Sequence, residues 1–132
     1  MSLRDDIRII RSESTFAQVI ERLHELIHER GLTLFAEIDH AQNARDAGLE
    51  MPETRVLIFG NAKAGTALML ASPDVALELP LRILVRQQND GQTDLLYIDP
   101  ERLAAEFGIP DLASSIAGLT AIAQAAATPV RA

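Results

Sequence analysis

The stretch Thr54-Arg-Val-Leu-Ile-Phe-Gly-Asn-Ala-Lys-Ala-Gly-Thr66 decides the fold. Val56 to Phe59 are four large apolar residues in a row, with no polar residue on either face of a strand. Such a run reads as a strand covered on both sides, and therefore near the centre of a sheet. Gly60 and Gly65 then bracket a polar loop carrying Asn61 and Lys63, and Thr66 to Ala71 reads as a helix of one or two turns.

On the N-terminal side, Ile7 and Ile9 alternate with Arg8 and Arg11, a short strand with one wet face. Thr15 and Gln18 fit a capping box, in which each side chain satisfies the other residue's free backbone donor. Phe16, Val19, Ile20, Leu23, Leu26 and Ile27 follow at helical spacing, and Gly31 ends that helix. In the next strand, Leu32 to Asp39, Leu34, Ala36 and Ile38 are expected on one face and Thr33, Phe35 and Glu37 on the other. His40 to Gly48 reads as a short helix, and Met51-Pro52-Glu53 as a turn.

On the C-terminal side, Leu81 to Arg86 and Thr93 to Ile98 form a hairpin about the turn Asp90-Gly91. Asp99 caps a helix with Pro100 at its first position, where no backbone donor is needed, and Gly108 ends it. Pro110 and Asp111 open a last, Ala-rich helix striped by Leu112, Ile116, Leu119 and Ile122, smooth enough to pack against another backbone. Helices punctuate the strands without strict alternation and the sheet closes on a hairpin. The expected class is α+β, with about five strands in a mixed or mainly antiparallel sheet. One domain over residues 1–127 and a flexible tail over 128–132 complete the expected organisation.

Composition narrows the function. The 132 residues are 48% apolar with no cysteine, which excludes thiolate metal sites, disulfides and cysteine catalysis. A net charge of −7 with scattered basic residues argues against nucleic acid. The first residues do not form a secretory signal, and no apolar run approaches the roughly 18 residues that span a bilayer. A cytoplasmic protein without membrane contact is expected.

His24-Glu-Leu-Ile-His28 matches the zincin pattern, in which two imidazoles bind zinc and the Glu is a general base. At about 100° per residue, however, both histidines fall roughly 100–140° from the centre of the apolar face, so they read as solvated. Surface metal binding through His24 and His28 is the weaker alternative to no metal site. The glycine loop lacks the Lys that a Walker pattern places after its second glycine, because Thr66 stands there. A milder reading keeps an anion held by helix N-terminal donors and Lys63; the plain reading is a loop that only turns the chain. If the ends of three strands converge, Asp39, His40, Asn61, Lys63, Gly65 and Tyr97 share a polar pocket, though Asp39 and Asp99 serve equally as helix caps.

Phe35-Ala-Glu-Ile-Asp-His-Ala41, Ala44-x-x-Ala-Gly-Leu49, Arg55-x-Leu-Ile-Phe-Gly-Asn-x-Lys-x-Gly-Thr66, Leu79-Pro-Leu-Arg-Ile-Leu-Val85 and Tyr97-x-Asp-Pro100 together resemble the family called Domain of Unknown Function 302, over roughly residues 7–110. Ala62 departs from the Pro associated with that place. The resemblance implies a small bacterial α+β domain that forms dimers, and it carries over no catalytic residue. The expected function is a dimeric module that binds or senses a small polar or anionic ligand, without a cofactor, with the last helix at the dimer interface. The alternatives are an enzyme with His40 as general acid/base and Lys63 as electrostatic stabiliser, or an interaction domain with no ligand.

Overall fold

In the computed structural model, which describes residues 5–79, 81–109 and 118–129, five strands form one sheet. They are β1 (Ile7–Ser12), β2 (Thr33–Asp39), β3 (Thr54–Gly60), β4 (Leu81–Gln87) and β5 (Thr93–Ile98). Their order is β1-β5-β4-β3-β2, antiparallel at every junction. The helices among the described residues are α1 (Phe16–Glu29), α2 (His40–Asp46), α3 (Ala62–Ala71), α4 (Pro100–Phe107) and α5 (Gly118–Ala127), with a 3₁₀ turn at Pro73–Leu77. The chain is a single α+β domain, and its sheet is antiparallel throughout rather than mixed.

β1 and β2 lie at opposite edges, so α1 between them must cross the sheet. Its sequence equips it to do so. Thr15 accepts from the Gln18 amide while the Gln18 side chain accepts from the Thr15 amide, the expected capping box. At the far end Gly31 takes φ +68°, and Gly31 and Leu32 donate back to His28 and Ile27, closing the helix in a Schellman turn. The apolar stripe from Phe16 to Ile27 is buried against the sheet residues Leu57, Phe59, Ile83, Val85 and Leu95. α5 lies beside it and adds Leu119, Ile122, Ala123 and Ala126 to the same core. The buried Ser12 hydroxyl donates to the Ala127 carbonyl at 2.5 Å and ties β1 to the end of α5.

Three expectations change. The smooth face of the last helix is spent inside the chain, so it does not supply a free dimer interface; its expected start at Pro110 and Asp111, with Leu112 and Ile116, lies outside the described residues. β3 is, as expected, an inner strand next to the central β4, but its cover differs. Only one face of β3 meets the core: Leu57 and Phe59 are fully buried, whereas Val56 and Ile58 face the other way and stay partly exposed. In β2 a bulge at Phe35 breaks the alternation. Leu34 lies opposite Phe59, but Ala36 and Ile38 lie opposite Ile58 and Val56, on the other face. One extra residue inverts every side chain beyond it, so Glu37 and Asp39 turn to the helix-covered side.

Candidate functional site

The expected glycine loop is the first turn of a helix. Asn61 caps α3, its side-chain oxygen accepting from Lys63 N at 3.0 Å and Ala64 N at 3.1 Å. The Gly65 amide donates to the Asn61 carbonyl at 2.8 Å, the first helical bond. Two of the donors that would cradle an anion, the Lys63 and Ala64 amides, are therefore taken by the helix's own cap, which weighs against the phosphate-cradle reading. Gly65 sits inside the helix without positive φ, so no turn requires it.

The junction borders a cavity instead. A space of about 360 Å³ opens between the end of β3, α3, Leu79, Leu81 and the start of α5. Leu32, Phe35, Phe59, Leu68, Leu119 and Ile122 contribute apolar walls, with Asn61 and Thr66 among the few polar liners. The Phe35 bulge places an aromatic ring on its wall, and this side chain remains 48% exposed. A Cβ added at Gly65, also a liner, would meet no atom within 4 Å, so the glycine leaves open space there. Lys63 lies between the lining residues Ala62 and Ala64, exposed, on the first turn of α3.

The six expected site residues do not converge. Asp39 pairs in register with Arg55, while Gly60 pairs with Thr33. Five residue steps at about 3.4 Å separate Arg55 from Gly60, about 17 Å along β3. Asp39 and His40 thus stand at one end of the sheet, and Asn61, Lys63 and Gly65 at the other. Tyr97 is a core residue on the helix-covered face, and Asp99 caps α4 and pairs with Arg8 at 2.7 Å. His40, exposed at the start of α2, has no Lys63 within reach, so the acid/base pair of the enzyme reading is not assembled.

What gathers around Asp39 is an ion-pair lattice that sequence reasoning missed. Arg55 donates to Glu37 at 2.8 Å and to Asp39 at 2.9 Å. Glu37 also meets His24 Nε2 at 2.6 Å, which joins α1 to β2. The Arg55 guanidinium lies 5.7 Å from the centre of the Phe16 ring, while its Nε is buried without an acceptor. Had the bulge been visible, an Arg and two carboxylates on one strand pair's covered face would have signalled this lattice. The backbone N–H of Gln42 holds the Asp39 carboxyl below its ordinary range; burial opposes this, and Arg55 and Arg45 add to it. Burial pulls the Arg55 guanidinium down, but Glu37 and Asp39 outweigh it and raise the value overall. Each member has a partner, so the lattice locks α1, β2, β3 and α2 rather than offering a vacant charge. His28 is exposed, and among the described residues no three metal-ligating side chains cluster.

Residues 9–127 match the family described as Domain of unknown function DUF302. The chain is 34% identical over 108 residues to a Brucella suis biovar 1 (strain 1330) protein named fluoride-specific ion channel FluC 1, covering 82% of this chain and 42% of that one. A Brucella melitensis biotype 1 protein named fluoride-specific ion channel FluC 2 is also 34% identical over 108 residues, covering 82% and 40%. The chain thus spans about two fifths of the length of these curated relatives. The crystal structure of an uncharacterized conserved protein DUF302 from Bacillus stearothermophilus has a TM-score of 0.77 at 19% identity, covering 94% of this chain and 97% of that one. At that identity the likeness is one of fold. Among the described residues, no helix is long and apolar enough to cross a membrane.

Proposed function

The chain belongs to the DUF302 family, and from that premise we propose that it is a homodimeric module that binds a small amphipathic molecule in the cavity between β3, α3 and α5. The observation that carries this reading is the cavity, about 360 Å³ and walled mainly by aliphatic and aromatic side chains. That volume is at the lower end of small-molecule sites, which are apolar with a few placed polar groups. The polar end of the ligand is an acceptor or carboxylate. Asn61 uses its side-chain oxygen in the cap, leaving its amide nitrogen to donate, and Lys63 supplies a cation on the same turn. The anionic group is thus recognised by side chains, not by helix N-terminal amides.

Decanoate tests the reading, with displacement of the dye 1-anilinonaphthalene-8-sulfonate as the signal. Decanoate is expected to displace the dye from the wild type. Gly65→Leu should abolish binding, because its side chain fills the open space at that wall, while the fold is kept. Glycine inside a helix costs about 1 kcal/mol relative to a good helix former, so this variant should melt no lower than the wild type. Undiminished binding by Gly65→Leu would overturn the cavity as the site.

The Brucella relatives bear on where such a module works. More than half of each lies outside the match. In our reading their fluoride conduction belongs to that unmatched part, and the shared portion is a ligand-responsive attachment. Liposomes reconstituted with this chain alone are expected to show no fluoride efflux above empty vesicles; efflux would sink this assignment.

A further inference from the structure

The uncovered face of the sheet carries an ordered apolar pattern. The strand registers place Ile9 opposite Leu96, Leu96 opposite Leu84, Leu84 opposite Val56, and Val56 opposite Ile38. These five residues form one aliphatic row across all five strands, centred on the central strand β4. Ile9 is 53% exposed and Ile38 37%, and the three between them are only partly buried. α1 and α5 both pack on the opposite face. An antiparallel sheet with one wet face normally puts polar residues there. Here Ile7, Ile58 and Ile98 widen the row, and α4 walls one side of a groove of about 420 Å³ that runs over Leu84 and Leu96.

We infer that a second copy of this chain covers this face, row against row, in a two-fold sheet-to-sheet contact. The inference rests on the homodimer reading and names its surface.

Size and symmetry both favour a second copy. Five strands about 4.8 Å apart and about 20 Å long give a footprint of roughly 500 Å² before side-chain relief is counted. With the α4 wall, this approaches the roughly 800 Å² that each partner gives to a standard interface. A two-fold contact uses the same patch on both copies. The row meets that demand, because it is aliphatic from end to end with the large Leu84 at its middle. Charge completes the match. Arg11 and Arg86 lie 3.1 and 3.8 Å from Asp94, and Arg82 lies 3.4 Å from Glu78. The ionic groups of this face are thus paired within the chain, and two copies of a molecule with net charge −7 can meet here without opposing like charges.

Sedimentation velocity on the untagged chain at micromolar concentration tests the surface. The wild type is expected at twice the 14.4 kDa chain mass. Ile9→Lys, on an exposed edge position that does not threaten folding, should weaken the dimer by about 10-fold, because it puts an unpaired charge at the end of the row. Leu96→Glu should leave a monomer, and Gln124→Glu, on the outer side of α5, should leave the dimer intact. The chain has no cysteine. Leu84→Cys should therefore be joined into a covalent dimer by bismaleimidoethane, since facing sheets lie about 10 Å apart, beyond direct disulfide reach, and Gln124→Cys should not. A wild-type monomer overturns both the homodimer and this surface. A wild-type dimer that Ile9→Lys does not weaken and Leu84→Cys does not cross-link overturns the surface alone.

Discussion

Phe59→Ala is expected to remove about 3 kcal/mol of folding stability, the largest effect of any single change considered for this chain. The ring is fully buried, lies opposite Leu34 and Leu81 on the strands either side, and belongs to the core under α1 and α5. Truncating a core Phe loses its transfer free energy and leaves a void, typically about 3–5 kcal/mol together. Part of the ring already borders the 360 Å³ cavity, so fewer contacts are lost than in a filled core, and the low end of that range applies. A domain of this kind has about 5–15 kcal/mol in all, so the variant should remain folded but with a much lower urea midpoint and an unchanged slope. It should also bind more dye, since the cavity grows. A loss under about 1 kcal/mol would mean that the ring does not bridge sheet and helices.

Arg55→Met is expected to cost about 2 kcal/mol, through a different route. The substitution keeps much of the side chain's apolar stem but leaves Glu37 and Asp39 near one another on the covered face without their shared cation. Breaking a buried pair from one side costs about 3–5 kcal/mol, and an exposed pair almost nothing. The Arg55 side chain is 25% exposed, which sets the value between these limits. Glu37 retains His24, and Asp39 retains the Gln42 amide, so the fold should survive.

The same lattice has a pH signature. The folded pKa of Asp39 lies below its unfolded value near about 3.9. Its contribution is therefore fully present above that value and is lost as pH falls through the lowered folded one. The stability gap between the wild type and Asp39→Asn should close between about pH 4 and the folded pKa, with Asp39→Asn the flatter of the two. Urea unfolding at several pH values measures both effects. A gap that does not change across this window would remove Asp39 from the lattice.

Local chemistry was legible before any tertiary structure. The capping box at Thr15 and Gln18, the α1 stripe, the Asp99-Pro100 helix start and the hairpin at Gly91 each rest on interactions within a few residues, which the sequence specifies by spacing alone. So does the α+β class. The lattice of His24, Glu37, Arg55 and Asp39 was not legible, because it depends on the bulge at Phe35, and one unpaired residue in a strand carries no marker in the alternation itself. The proposed site was half legible. Asn61 and Gly65 were picked out for a loop, but the cavity beside them needs α5 and Leu81, brought there from far along the chain.

Four consecutive apolar residues in β3 showed that both faces want cover, and that was determined by the sequence by itself. Which face the chain covers for itself, and how Ile9, Leu96, Leu84, Val56 and Ile38 come into one row, only the tertiary structure decided. The reason is physical. Hydrophobic periodicity reports the demand for burial residue by residue, whereas register is set between strands distant in sequence, and a shift of one residue would scatter the row to the other side.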